Sequence, residues 1–332
     1  MKRKLVIAIT CLIVAVGGAY ALMISRSSQR SLAPEETAGA IGVLPVVDNA
    51  PLVVEPLPGL RFLFDSGSDI STITEADLQK LRDLGMEVTE STYPIAGYND
   101  ADELVLETKR YTVTLPLYRY KSTTDSTGAI TASAAKADAN LIHGVDFAPS
   151  RTGHSVLGVD FLQKFSVEYR FLDQAIALYL TPPAGYTPCL PLDISYSPSK
   201  TPWLGRRYYA TLGVHDTQRP YFLDTGIRVA RVKMPQKHAA KRRRMLRADS
   251  LYRAEGAVPA LVEDDVTVLF GDRVTTAQVV YADTPAEGYA FNPIDFFMQD
   301  VLISSKTMSI SLRPTFNIPA RTPAPVARVV LE

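Results

Sequence analysis

Cysteine is scarce in this chain. Of 332 residues only Cys11 and Cys189 are cysteines. Cys11 falls inside an apolar N-terminal run, so no disulfide can form within the rest of the chain and the fold must rest on its cores. Cys189, set between Pro188 and Leu190, reads as structural rather than as a reactive thiol. Histidine is nearly as rare: His143, His154, His215 and His238 are scattered without the spacing of metal ligands, so neither a metal nor a cofactor is expected. There is no Gly-x-Ser-x-Gly nucleophile elbow and no glycine-rich phosphate loop. Net charge is absent too, with Lys+Arg 35 against Asp+Glu 35, so no bulk field points to a nucleic-acid partner and none is expected.

What is present starts with Lys2, Arg3 and Lys4, followed by an uncharged stretch from Leu5 to Ile24, 20 residues and close to the span of a bilayer. The positive-inside bias places Met1 to Lys4 in the cytoplasm and the chain after Arg26 on the far, periplasmic side. Residues 1–24 therefore read as an uncleaved signal anchor. Ala19-Tyr20-Ala21 matches the small-x-small pattern of a cleavage site, and cleavage there would release a secreted form. A polar linker, 25–40, follows. The hydrophobic content, 46%, then supports two domains of ordinary size.

The periodicity is mostly that of short strands. Gly42 to Val54 and Leu60 to Phe64 are broken by Pro51 and by Pro58-Gly59. A short helix is expected after Thr74, an N-cap with Glu75 and Asp77 in the first turn, with Leu78, Leu81 and Leu84 at helical spacing and Gly85 as the stop. Gly97-Tyr98-Asn99-Asp100 reads as a turn between strands, Leu104 to Tyr120 as the hairpin after it, and Lys121 to Asn140 as a long surface loop. A terminal hairpin, Phe165 to Tyr169 with Ala175 to Tyr179, closes a first unit at 41–181. Six prolines between Thr181 and Pro202 mark a connection, 182–205. A second unit, 206–313, repeats the order of the first with a period of about 150 residues, and a Pro-rich tail, 314–332, ends the chain.

Each unit carries an aspartate at the end of an apolar run. Asp65-Ser66-Gly67-Ser68 follows Leu60-Arg61-Phe62-Leu63-Phe64, and 159 residues further on Asp224-Thr225-Gly226 follows Tyr221-Phe222-Leu223. A carboxylate leaving a buried strand is costly unless it is hydrogen-bonded or shares a proton with a second carboxylate. The duplication supplies that second carboxylate. Asp69 reads as a turn cap and Asp160 as a helix start, so neither is assigned a catalytic role.

With these motifs, and with Val156-Leu157-Gly158-Val159-Asp160-Phe161-Leu162 downstream of the first, the chain resembles retropepsin-like and pepsin-like aspartic proteases in a bacterial, membrane-anchored, two-lobed version, over residues 41 to 313. The resemblance implies a mainly β, bilobal aspartic protease fold of two similar β-barrel-like lobes with short helices. It implies Asp65 and Asp224 as the catalytic pair, with Ser66, Gly67, Ser68, Thr225 and Gly226 supporting them. Gly97 and Tyr98 fall in the segment corresponding to a substrate-covering flap, whose second counterpart lies near Gly256. The implied partner is a peptide or protein substrate, and one chain holds both aspartates, so a monomer suffices. Two departures stand out: Ile227 replaces the Ser or Ala that usually follows the glycine, and Phe291-Asn292 replaces the hydrophobic-Gly pair. Two readings follow, an aspartic endopeptidase and a catalytically silent protein of the same fold that binds extended peptides or a protein partner. The cluster Lys241-Arg242-Arg243-Arg244 with Arg247 reads as a solvated helix face, with anionic lipid head groups as the alternative contact.

Overall fold

Alternating apolar residues in short runs make the described chain mainly β. Leu60–Phe64 shows how: Leu60, Phe62 and Phe64 turn inward, Arg61 faces solvent and Leu63 is half-buried. The computed structural model describes residues 40–49, 51–57, 59–99, 103–117, 120–124, 130–134, 140–196, 206–242, 245–253, 256–283 and 288–313, all within one compact unit, Ala38–Glu332. Among these residues no helix is long and apolar enough to cross a membrane. The expected anchor, most of the linker and the tail lie outside them.

The internal repeat is visible in the strand pairing. Val156–Leu157 lies between two strands that precede it in sequence, parallel to Leu60–Phe64 and antiparallel to Thr72–Ile73. Thr72–Ile73 then runs parallel to Asn140–Pro149, which pairs antiparallel with Arg110–Leu117. The second half takes the same steps. Ala290–Asn292 is parallel to Thr217–Leu223 and antiparallel to Arg231–Met234. Arg231–Met234 is parallel to Arg273–Tyr281, which is antiparallel to Gly256–Phe270. In each half a late strand is thus threaded between two early ones, and the segment that joins those two is the one bearing the aspartate.

The halves share one sheet, in the order Thr187–Pro191, Ser309–Leu312, Val301–Ser304, Ser166–Arg170, Ala175–Tyr179, Gly42–Asn49. Its centre, Ser166–Arg170 against Val301–Ser304, joins the end of the first half to the end of the second. The connecting residues are partly strand themselves: Thr187–Pro191 enters this sheet and Asp193–Tyr196 pairs with Arg206–Tyr209.

The helix Glu75–Asp83 forms where expected. The Thr74 hydroxyl accepts the Asp77 N–H at 3.1 Å, Leu78 and Leu81 are fully buried, and Gly85 takes a φ of +74° beyond the last turn. Leu84 is exposed instead of joining that face, because it sits at the C-cap.

Three expectations are corrected. The 121–140 stretch is not a plain loop, since Tyr120–Thr124 pairs with Ile130–Ala134. The hairpin near Gly97 is Ile95–Tyr98 with Leu104–Glu107, so Gly97 and Tyr98 lie in a strand rather than in its turn, and Arg110–Leu117 pairs with Val88–Ser91 and Asn140–Pro149 instead. The basic cluster is not one helical face: Arg242 ends a 3-10 helix, Gln236–Arg242, and reaches Glu263 at 3.5 Å, whereas Arg247 starts a strand and pairs with Asp264 at 2.8 Å. Arg243 and Arg244 lie outside the described residues.

Candidate active site

Both aspartates leave their strands in the same register. The Asp65 N–H donates to Leu157 O and the Asp224 N–H to Phe291 O, each at 3.0 Å. The chain then turns at once, and the turn is closed by the carboxylate: Gly67 N–H donates to Asp65 Oδ1 at 2.7 Å and Gly226 N–H to Asp224 Oδ1 at 3.0 Å.

The two turns meet across the halves. Ser66 N–H donates to Thr225 Oγ1 at 2.9 Å and Thr225 N–H donates to Ser66 Oγ at 3.0 Å. Each hydroxyl also donates to the far strand, Ser66 to Leu223 O at 2.9 Å and Thr225 to Phe64 O at 2.7 Å. All four groups are buried, so this closed ring leaves no polar atom of the crossing unpaired. Thr225→Val keeps the shape and removes the hydroxyl, stranding Phe64 O and Ser66 N–H. It is expected to destabilise the protein by about 2–4 kcal/mol, with Thr225→Ser near wild type; thermal unfolding of the two variants measures this.

The ring brings the carboxyl groups together. A Cβ placed on Gly67 would lie 2.8 Å from Asp224 Oδ1 and 3.0 Å from Asp65 Oδ1, and one on Gly226 would lie 2.6 Å from Asp65 Cγ. Both carboxyl groups therefore converge on the space that the two glycines leave empty. Any side chain there would displace a carboxylate.

The departures in the second half have local explanations. Gly158 is confined because a Cβ would lie 2.6 Å from Ile70 O. At the matching position Asn292 is buried and its amide replaces direct contact: Nδ2 donates to Ile227 O at 2.9 Å and Oδ1 accepts Ile294 N–H at 3.1 Å. Ile227 is buried in a small cluster with Phe222 and Ala290, with Tyr209 against it. Its bulk is thus accommodated in the second half's packing.

Ser68 is fully buried, its hydroxyl donating to Ile70 O at 2.8 Å, so it stiffens the first turn. Tyr98 is tied to the same turn: Asp69 N–H donates to Tyr98 O at 2.8 Å and Asp69 Oδ2 accepts Tyr98 N–H at 2.9 Å. Gly97 permits this contact, because a Cβ would meet Ile70 Cγ2 at 2.6 Å. Tyr98 pairs with Leu104 at the turn end of the hairpin, yet only 3% of it is exposed, so its ring is packed rather than presented to solvent. In the second half, the strand Arg247–Arg253 pairs with Gly256–Phe270, whose first residue is the expected Gly256.

Two groups escaped the sequence reading. Arg207, 2% exposed, crosses from the second half to the first: its Nε lies 3.5 Å from Asp69 Oδ1 and its guanidinium sits 5.0 Å from the Phe222 ring and 5.9 Å from the Tyr98 ring. Nothing local in the sequence marks it. Asp295 had a signal, because Asp295-Phe296-Phe297 repeats Asp160-Phe161-Leu162 with one residue inserted before it. Burial raises the pKa of both aspartates above its ordinary value, that of Asp295 to about 6, although Ser71 Oγ donates to Asp160 at 2.6 Å.

Asp295 has a φ of 67° and a buried Oδ1 without a hydrogen-bond partner. Its folded pKa is raised, so the ionised form weighs against the fold: the cost grows as pH climbs past the ordinary carboxylate value and is complete above about 6. Asp295→Asn, which tolerates the left-handed backbone, is expected to stabilise the protein by roughly 2 kcal/mol at pH 7, the gain vanishing below about pH 4. Denaturant melts at the two pH values measure the difference.

No protein-family model and no curated protein matches the chain.

Proposed function

We propose that this chain is an aspartic endopeptidase of the two-lobed, retropepsin-like and pepsin-like type, hydrolysing peptide bonds with a water activated between Asp65 and Asp224. The observation that carries the reading is the convergence of the two carboxyl groups on the gap left by Gly67 and Gly226, held by the Ser66–Thr225 ring. The repeated strand threading supports it, because it delivers the two Asp-Ser/Thr-Gly turns from opposite halves in one register.

Two carboxyl groups so close share one proton, because ionising both would set like charges side by side. The ionised member takes a proton from a water, whose oxygen attacks the scissile carbonyl carbon, while the protonated member donates to the carbonyl oxygen. The pair then donates a proton to the amide nitrogen and takes one back from a hydroxyl of the tetrahedral diol, so that the C–N bond breaks and the pair is left with its single proton again. No covalent enzyme intermediate forms. Both roles are filled from one chain, so a monomer suffices. The substrate would lie extended against the hairpins Ile95–Glu107 and Arg247–Phe270. The apolar run at 5–24 would tether the enzyme to the membrane with its site in the periplasm.

The catalytically silent reading draws on Ile227 and Asn292; the packing of Ile227 with Phe222 and Ala290, and the hold of the Asn292 amide on the second turn, support the enzyme reading instead. The experiment is cleavage of a peptide library by the full chain in detergent from about pH 3 to 8, with Asp65→Asn alongside. Cleavage by the wild type alone supports the reading. A folded protein without cleavage, or cleavage that survives the substitution, ends it.

A further inference from the structure

The repeat relates Asp69 to Arg228, each four residues after its aspartate. At these matched positions the two sides of the site differ in charge. Asp69 is buried and answered by Arg207, 2% exposed, so the first side is neutralised within the protein. Arg228 is exposed and makes no ion pair with another described residue. Asp249 and Asp264 of the neighbouring hairpin are already engaged. Asp249 faces Arg231 at 3.4 Å and Arg247 at 3.0 Å, and Asp264 faces Arg247 at 2.8 Å. Behind Arg228, Arg231 is 3% exposed and its Nε has no hydrogen-bond partner. Burial and the nearby Arg228 charge both weaken its hold on its proton. Of Arg228, Arg231 and Arg247, only Arg228 lacks an acidic partner among the described residues, and it is exposed.

The Arg231–Asp249 contact also positions the segment that carries Arg228. It sets the segment from Asp224 to Arg231 against the hairpin strand Arg247–Arg253, as the Asp69–Tyr98 hydrogen bonds set the first turn against its own hairpin. Arg228 therefore lies, exposed, on the segment that runs from Asp224 to the strand held against the second hairpin. We propose that Arg228 is a specificity-determining residue that selects peptides with an acidic side chain on one side of the scissile bond, the side served by the second half. This rests on the endopeptidase reading above. The selection is one-sided because the matched first-half residue, Asp69, is answered by Arg207, and it weakens with salt because the pair would be partly solvated.

The test uses peptides with both termini blocked, identical except for Glu, Gln or Lys at positions flanking the scissile bond, with the full-length wild type and Arg228→Gln and Arg228→Glu. The wild type is expected to favour Glu over Gln about five- to tenfold in kcat/KM at one position on one side only, chiefly through KM. Arg228→Gln should erase that preference while leaving cleavage of the Gln peptide unchanged, and Arg228→Glu should turn it toward Lys. Cleavage that depends on Asp65 yet shows no acidic preference, or a preference that both variants retain, overturns the assignment and leaves the endopeptidase reading standing. Absence of all cleavage by folded wild type overturns both.

Discussion

Replacing Asp224 with asparagine should lower kcat/KM for peptide cleavage by at least about three orders of magnitude without unfolding the protein. The substitution is nearly isosteric, and the new amide oxygen can still accept the Gly226 N–H that Asp224 Oδ1 accepts at 3.0 Å, so the turn keeps its closure. The Ser66–Thr225 ring does not involve the carboxylate and is untouched. What is lost is the proton chemistry: an amide neither takes a proton from water nor shares one with Asp65. Asp65→Asn should behave alike, with Gly67 N–H still accepted at the same oxygen. Because the two carboxyl groups act as a unit, the double variant should be no worse than either single one. In the wild type, activity should follow a bell in pH, falling at low pH as the pair gains its second proton and at high pH as it loses its only one. Steady-state kinetics with thermal unfolding on the same samples checks both statements. Wild-type rates in either variant would remove the pair from the mechanism.

Glu168→Ala should cost about 3 kcal/mol of stability, the largest expected loss from a side chain outside the site. Glu168 is fully buried at the centre of the sheet shared by the two halves. Its oxygens accept from Tyr179 and Tyr186, each at 2.5 Å, and pair with Arg170 Nε at 3.0 Å and Arg313 at 2.6 Å. These partners come from the first half, the connection and the residue after the last strand, so one carboxylate gathers three parts of the chain. The lower end of the range for a broken buried pair applies because Arg313 and Arg170 are 49% and 31% exposed and regain water once released. Burial alone would raise the Glu168 pKa. The hydroxyls of Tyr179 and Tyr186 and the charge of Arg170 more than offset it, and the carboxyl sits below its ordinary value. A lowered folded pKa contributes stability that is fully present above the unfolded value and lost as pH falls through the folded one. The penalty of Glu168→Gln should therefore be full at pH 7 and shrink in acid, opposite in sign to the effect at Asp295. Denaturant melts from neutral pH downward measure it, and a penalty independent of pH would show that the charge contributes nothing.

The aspartate turns were legible in the sequence because their signal is local. A buried strand that ends in a carboxylate and needs an immediate reversal must be written as apolar run, Asp, hydroxyl residue and Gly in consecutive positions, as it is at 60–67 and 221–226. The Thr74 cap was legible for the same reason. The hairpin at Gly97 was misplaced because Gly97 answers a close approach to Ile70, not a turn. A glycine in sequence does not say which of the two it serves. The packing of Ile227 against Ala290 and the hydrogen bond from Asn292 to Ile227, by contrast, join residues far apart along the chain and left no local trace.

By itself, the sequence determined the duplication, the mainly β character, the two Asp-Ser/Thr-Gly turns and the lack of disulfides, because each follows from residue order or residue supply. Tertiary structure alone decided that the two carboxyl groups meet, that Arg207 answers Asp69, that Arg228 has no acidic partner among the described residues and that Glu168 collects its donors. These are pairings between residues far apart along the chain, and charge complementarity between such residues leaves no periodic trace in a sequence until the strands bring them together.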